Sequence, residues 1–337
     1  MRVRGLVLSL LMAGSTWAQS QSLGTYTYDI NGRRVLASQT GIAATPGAAA
    51  NVRTTQTLNG RQVPAESVVE KVVSDGPDGK VVERVVKVFD ENGRPVSTEK
   101  QVIKERKLDS GGSEVSTAVY RSDLNGNIAL AERLNTVSAK SGNQITSQTV
   151  VERASLSGGL EPVERQQTVT QTSTGRTDSD TTVLRKDSNG SFQVAAREVV
   201  STSTSGPTTT QNVTQYNSAA TGQMEVIGQK VVTTTARPDG GITQVVDVYG
   251  MNTPGRAVTG YSDGPKLREQ QIIEKHASAS GGFVETYTIR RPNLESGALG
   301  PPVKISETVC TGNCIPPKPA ADPKPVADPT PAADPKP

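Results

Sequence analysis

Residues 190 to 203 read GSFQVAAREVVSTS, and residues 222 to 235 read GQMEVIGQKVVTTT. Val194, Val199 and Val200 of the first stretch return as Val226, Val231 and Val232 of the second, 32 residues on. These are two copies of one unit, and the unit is tandem. Gly60, Gly93 and Gly126 are spaced by 33; Gly126, Gly158, Gly190 and Gly222 by 32; Gly255 follows after 33. A fixed period of this length marks a repeat architecture. Arg133, Arg165, Arg197 and Gln229 share one slot at steps of 32, and Lys100 fits it one 33-residue step earlier. A bulky apolar residue stands six positions before the glycine as Tyr120, Leu184, Tyr216 and Tyr249. Tyr28 and Phe89 stand four positions ahead in shorter turns.

The segment between the apolar residue and the glycine is polar and turn-forming. Asn-Gly occurs at 31–32, 59–60, 92–93, 125–126 and 189–190, as in FDENGRPV at 89 to 96. Both residues adopt positive φ at low cost, so this dipeptide between apolar runs signals a hairpin. A second glycine turn falls halfway through each unit, for example at SAKSGN (138 to 143) and RPDGG (237 to 241). Turns every 16 residues or so leave strands of about 10 residues, or about 33 Å. Val, Thr, Ile and Tyr fill the intervening segments, as strands prefer. VVEKVV (68 to 73) and VVERVV (81 to 86) have a helical apolar spacing. Their β-branched residues and the turn between them favour strands.

Only 34% of the 337 residues are hydrophobic and 3% aromatic, with three Phe and one Trp. A thick single core is hard to build from that. A thin, extended β architecture fits; disorder also suits the composition, but the repeat favours the former. In QVVDVY (244 to 249) Val246 and Val248 share one face while Val245, Asp247 and Tyr249 share the other, so neither face is uniformly apolar. The expected fold class is all-β: tandem antiparallel hairpins in an extended twisted meander sheet, with a disordered proline-rich tail. An outer-membrane barrel is disfavoured at this level, since it needs an apolar lipid face and aromatic girdles.

The stretch YTYDINGRRVLASQT (26 to 40) resembles the YD repeat of Rhs-type secreted proteins, and VFDENGRPV is a fainter copy. The resemblance implies β-hairpin arrays that build shells or contact surfaces. It covers about fifteen residues. The period of 32–33 here is longer than that family's, and Tyr-Asp occurs only once.

The ends carry their own signals. Residues 1–18 read as a signal peptide: Arg2 and Arg4, an apolar run from Leu6 to Ala13, and Thr16-Trp17-Ala18 as cleavage site. The run is too short for a membrane span. Removing Arg2 and Arg4 lowers the formal charge from +3 to +1. With both signs mixed along the chain, nucleic-acid binding is disfavoured. Residues 19–59 are expected to hold an N-terminal hairpin and, from 40, an Ala/Thr-rich linker; the repeat region then runs over 60–309. Cys310 and Cys314, in CTGNC, are expected to form a local disulfide that clips the end of the fold over 310–314. Residues 315–337 are proline-rich and expected to form a polyproline II spacer.

No chemical signature stands out. There is no Gly-x-Ser-x-Gly, no phosphate-binding glycine loop and no paired His for a metal; His276 is the single histidine. No cofactor is implied. Glu132 beside Arg133 and Glu164 beside Arg165 recur with the repeat and look architectural. These readings favour a secreted, periplasmic or surface protein without catalysis, acting as a structural or adhesin-like element. It would partner cell-wall or surface glycan, or itself through exposed sheet edges. The alternative is a carbohydrate-binding module using Arg133, Arg165, Arg197, Tyr120, Tyr216 and Tyr249. A polysaccharide-acting hydrolase is a third reading.

Overall fold

A computed structural model describes residues 19 to 311 apart from 29–31, 45–49, 78, 109–110, 123–125, 156–157, 220–221, 251–264, 279–281 and 294–296. Residues 1–18, expected to be a signal peptide, together with Cys314 and the proline-rich tail, lie outside the described residues.

The chain forms antiparallel strands in sequence order. The first six are β1 (Gln19–Tyr28), β2 (Arg34–Ala44), β3 (Ala50–Leu58), β4 (Arg61–Gly76), β5 (Gly79–Phe89) and β6 (Pro95–Lys107). Then come β7 (Ser113–Ser122), β8 (Ile128–Ser141), β9 (Gln144–Ala154), β10 (Leu160–Ser173), β11 (Arg176–Lys186) and β12 (Phe192–Ser205). The last are β13 (Thr208–Ser218), β14 (Met224–Ala236), β15 (Ile242–Gly250), β16 (Lys266–Ala277), β17 (Phe283–Arg290) and β18 (Val303–Thr311). VVEKVV and VVERVV lie on β4 and β5, which pair as a hairpin. Residues 40 to 59, expected as a linker, are largely taken up by β2 and β3. Their Thr and Val side chains pair across the strands, as with the Thr40 and Thr54 hydroxyls at 3.1 Å.

The meander is as expected; its ends are not. β1 pairs with β18, from Ser22 opposite Thr311 to Thr27 opposite Ser306, so the 18 strands close into a barrel rather than an extended sheet. Eighteen strands about 4.8 Å apart and tilted about 40° give a backbone diameter of about 36 Å. Closure satisfies the edge N–H and C=O groups that an open sheet would expose. Self-association through free edges therefore has no edge to use.

The repeated glycines sit in the turns. At β5–β6, Gly93 has φ 77° and donates its N–H to the Asp90 carbonyl at 3.0 Å. The Asp90 carboxylate accepts the Asn92 and Arg94 N–H groups at 2.9 and 2.8 Å. Asp187 and Gly190 repeat the arrangement. At this turn end each hairpin also carries a β-bulge, which leaves one residue of the second strand unpaired. Ala131, Val163, Ala195 and Ile227 fill that place at steps of 32. Bulges recur at barrel rims, where they sharpen the bend and twist.

The core is a thin lining. The buried hydrophobic side chains are Val68, Val82, Val119, Val151 and Cys310, and register places all of them on one face of the sheet. Side chains converge on the concave side of a closed wall and splay on the convex side, so this crowded face is the inner one. Cys310 is 1% exposed within β18, opposite Leu23 and Phe283.

Candidate functional site

Two sets of side chains stand out once the faces are assigned, one on each side of the wall.

The inner face carries a charged collar. Glu99 lies opposite Arg121, Glu132 opposite Arg153, and Glu164 opposite Arg185. Their ion pairs measure 3.0, 3.0 and 2.9 Å. The six residues come from the consecutive strands β6 to β11, so the collar follows one arc of the lumen. Gln101 and Gln166 donate to Glu99 and Glu164 at 2.7 and 2.8 Å. The carboxylates are tucked against the wall, while the guanidiniums are half or more exposed. Hydroxyl pairs join the collar: Thr136 with Thr149 at 2.8 Å, Thr168 with Thr181 at 2.9 Å, and Thr170 with Ser179 at 3.0 Å. A wall of paired charge and hydroxyl holds water well, because each group keeps a partner and a solvated side. The sequence did signal Glu132 and Glu164, but beside the wrong arginines. Neighbours in a strand point to opposite faces, so Glu132 meets Arg153 inside while Arg133 meets Glu152 outside.

The outer face brings the two repeated slots together. Tyr120 lies between Lys100 and Leu130, Leu184 between Arg165 and Val194, and Tyr216 between Arg197 and Val226. Tyr249 lies between Gln229 and Leu267. Tyr26 opposite Leu36 and Phe89 opposite Pro95 extend the set. All of these occupy the asparagine–glycine end of their strands, away from the end where β1 begins and β18 stops. They form an interrupted apolar and aromatic band near one rim, on β1, β5, β7, β11, β13 and β15; β3 and β17 carry Thr55 and Thr288 at the matching register. In β9 the aromatic slot holds Glu152 instead, and Arg133 pairs with it at 3.7 Å. Arg165 stacks over the Phe192 ring at 4.2 Å, and Arg34 over Tyr26 at 3.6 Å. Arg197 is paired with Asp180, Nε to Oδ1 at 2.9 Å. A depression of about 690 Å³ includes Tyr120, Arg133 and Glu152 in its lining, with Ser116 and Ala118 too short to fill the wall there.

All six candidate binding residues thus belong to one outer-wall band. His276 lies on the same face of β16, opposite Val284. Among the described residues no group of three or more His, Cys, Asp or Glu could hold a metal ion. Of the described aromatics, Tyr26, Tyr28, Phe89, Tyr120, Phe192, Tyr216 and Tyr249 stand near the asparagine–glycine end of the outer wall, whereas Tyr287 lies on the inner face and Phe283 lies on that face at the opposite end.

No family model matches the chain, and no curated protein matches it. Solved structures similar to the chain include OmpF and OpdK. OmpF of Salmonella typhi in complex with daunomycin shares 10% identity over 87% of this chain and 96% of that one, with a TM-score of 0.45. The outer membrane protein OpdK of Pseudomonas aeruginosa shares 12% identity over 87% and 97%, with a TM-score of 0.47. The YD-repeat resemblance does not stand, since the hairpins close on themselves in a single barrel. The adhesin-like and carbohydrate-binding readings fall with it: they were drawn for an extended twisted sheet, and the strands instead close into a tube. The expectation of no membrane span rested on the short apolar run and the scarcity of aromatics. No helix among the described residues is long and apolar enough to cross a membrane, but a barrel crosses with strands.

Proposed function

We propose that the chain is a water-filled pore of the bacterial envelope, in an outer membrane, passing hydrophilic solutes without catalysis. The observation that carries this reading is the closed 18-strand wall with Glu–Arg and Thr–Thr pairs on its inner face. Side chains take about 5 Å from each side of a tube about 36 Å wide, leaving a passage of about 25 Å. Barrels of this strand number leave an aqueous channel.

The dimensions suit a bilayer. Strands of about 10 to 13 residues at a tilt of about 40° rise about 25 to 33 Å, against a hydrocarbon core of about 30 Å. The outer wall bears charge, and an unpaired Arg or Lys facing lipid at mid-depth costs about 2–4 kcal/mol. On this wall Lys100 pairs with Glu83 at 3.0 Å, Arg197 with Asp180, and Arg106 with Glu114 at 2.6 Å. Ionisable groups within a membrane characteristically pair with one another, as these do.

The test is purified mature protein in planar bilayers. Discrete conductance steps, with size-limited efflux of sugars from vesicles, are the expected result. A folded barrel that gives neither overturns the pore.

A further inference from the structure

One arginine reaches the lumen from a place where the other hairpins put no charge. In β16 the residue left unpaired by the bulge is Arg268. Every other bulge at this turn end leaves Ala, Val or Ile unpaired, as with Val163 and Ile227. The Arg268 side chain turns inward: a Cβ added to Gly250, which faces the lumen, would lie 2.6 Å from its Cδ and Cζ.

The space it fills is that of a collar arginine. The residue after the bulge is Glu132 on β8, Glu164 on β10 and Glu269 on β16, and these hold Arg153, Arg185 and Arg291 at 3.0, 2.9 and 3.1 Å. On β14 the same slot is Gly228, and the residue opposite is Gly250 instead of an arginine. Both members of the pair are gone, yet Arg268 brings a guanidinium back from the next strand. On β12 and β13 the pair is also gone, as Ala196 opposite Asn217, but the bulge there holds Ala195 and no cation returns. Nothing returns the carboxylate to β14: among the described residues none pairs with Arg268. Of the carboxylates on this face nearby, Glu269 is taken by Arg291 and by Gln271, which donates to it at 2.8 Å, and Glu225 lies opposite Asn217. Lys230 and Lys266 share the face beside Gly228 and Gly250 and add positive charge.

We infer that Arg268 is a lumen site for a carboxylate carried by a passing solute, its oxygen atoms taking the place that Glu132 and Glu164 fill in the other repeats. The inference rests on the reading of the barrel as a pore and adds a solute class. A planar guanidinium fork receives a carboxylate through two parallel N–H···O bonds. There is room for the guest: a Cβ on Gly228 would meet nothing closer than 3.8 Å. An exposed fork holds its guest weakly, with a dissociation constant on the order of 10 to 100 mM. Weak binding suits a pore, which has to release what it takes up.

The test uses the mature barrel in detergent micelles. Arginine Nε–H signals are followed by NMR while sodium succinate is added, against sodium chloride at matched ionic strength. The Arg268 signal, identified by its loss in Arg268→Gln, should move saturably with succinate and not with chloride. The Arg153 signal, identified in the same way and held by Glu132, should stay in place. Gly228→Glu supplies the missing carboxylate, so it should shift the Arg268 signal without succinate and abolish the response. Circular dichroism checks each variant for the native β spectrum. A response as large at Arg153, as large in chloride, or intact in Gly228→Glu overturns the site. Vesicle uptake of succinate and of its uncharged diamide separates the two readings. Uptake that favours succinate, with the preference lost in Arg268→Gln, supports both. A saturable Arg268 shift in a barrel that passes neither solute keeps the site and removes the pore. Uptake of both solutes with no Arg268 shift removes the site and leaves the pore.

Discussion

The seam of the barrel and its repeated wall hold the same antiparallel ladder by different means. In the repeated wall, β10 to β13, every neighbour in space is the neighbour in sequence, joined by a turn of a few residues. At the seam, Thr25 and Thr308 share a hydroxyl contact at 3.2 Å across 283 residues. No local turn holds that register, and side chains take its place. Glu307 gathers Arg34 at 2.6 Å, Lys304 at 2.6 Å and the Tyr28 hydroxyl at 3.3 Å. Glu132 in the repeated wall makes a single cross-strand pair, with Arg153 at 3.0 Å. The difference shows that a local repeat builds hairpins cheaply, while closing them into a tube requires contacts of the highest loop-closure cost.

The largest expected effect comes from removing the seam. Truncation after Arg290 deletes β18 and leaves β1 and β17 as open edges; the chain should lose its cooperative melt and self-associate, read by circular dichroism and size-exclusion chromatography. A truncated chain that stays monomeric with an unchanged melt would show that closure does not support the fold. Next, Glu307→Ala leaves Arg34, Lys304 and Tyr28 without their shared acceptor and should cost about 1–2 kcal/mol in denaturant unfolding.

In the repeated wall the effects are smaller. Gly190 sits at φ 84°, and Gly190→Ala should cost about 1 kcal/mol by forcing a Cβ into the left-handed region. Glu132→Ala removes one exposed cross-strand pair and should cost about 0.5 kcal/mol. If Glu132→Ala proved as damaging as Glu307→Ala, the contrast between seam and wall would disappear.

The legible part of the fold was the local part. Val194 and Val226 in step, the Asn-Gly turns and the glycine period gave the strands and the hairpin order. Residues 40 to 59 misled because Ala, Thr and Gly look like a linker when read alone; they are strands because β1 and β4 offer them partners on both sides. The site was half legible. Tyr216 and Arg197 were visible as separate slots, but that they face each other across β12 and β13 depends on register. The lumen collar was hidden because Glu132 and Arg133 are adjacent in sequence and on opposite walls in space.

By itself the sequence determined the hairpin, its period, its turns and the composition of each strand, since strand propensity, alternation and positive-φ turn residues act over a few residues. Only the tertiary structure decided that eighteen strands close, which face is the lumen and that most of the few aromatics gather near one rim. Those outcomes depend on twist accumulated strand by strand and on pairings between the two ends of the chain, and no window of sequence contains either.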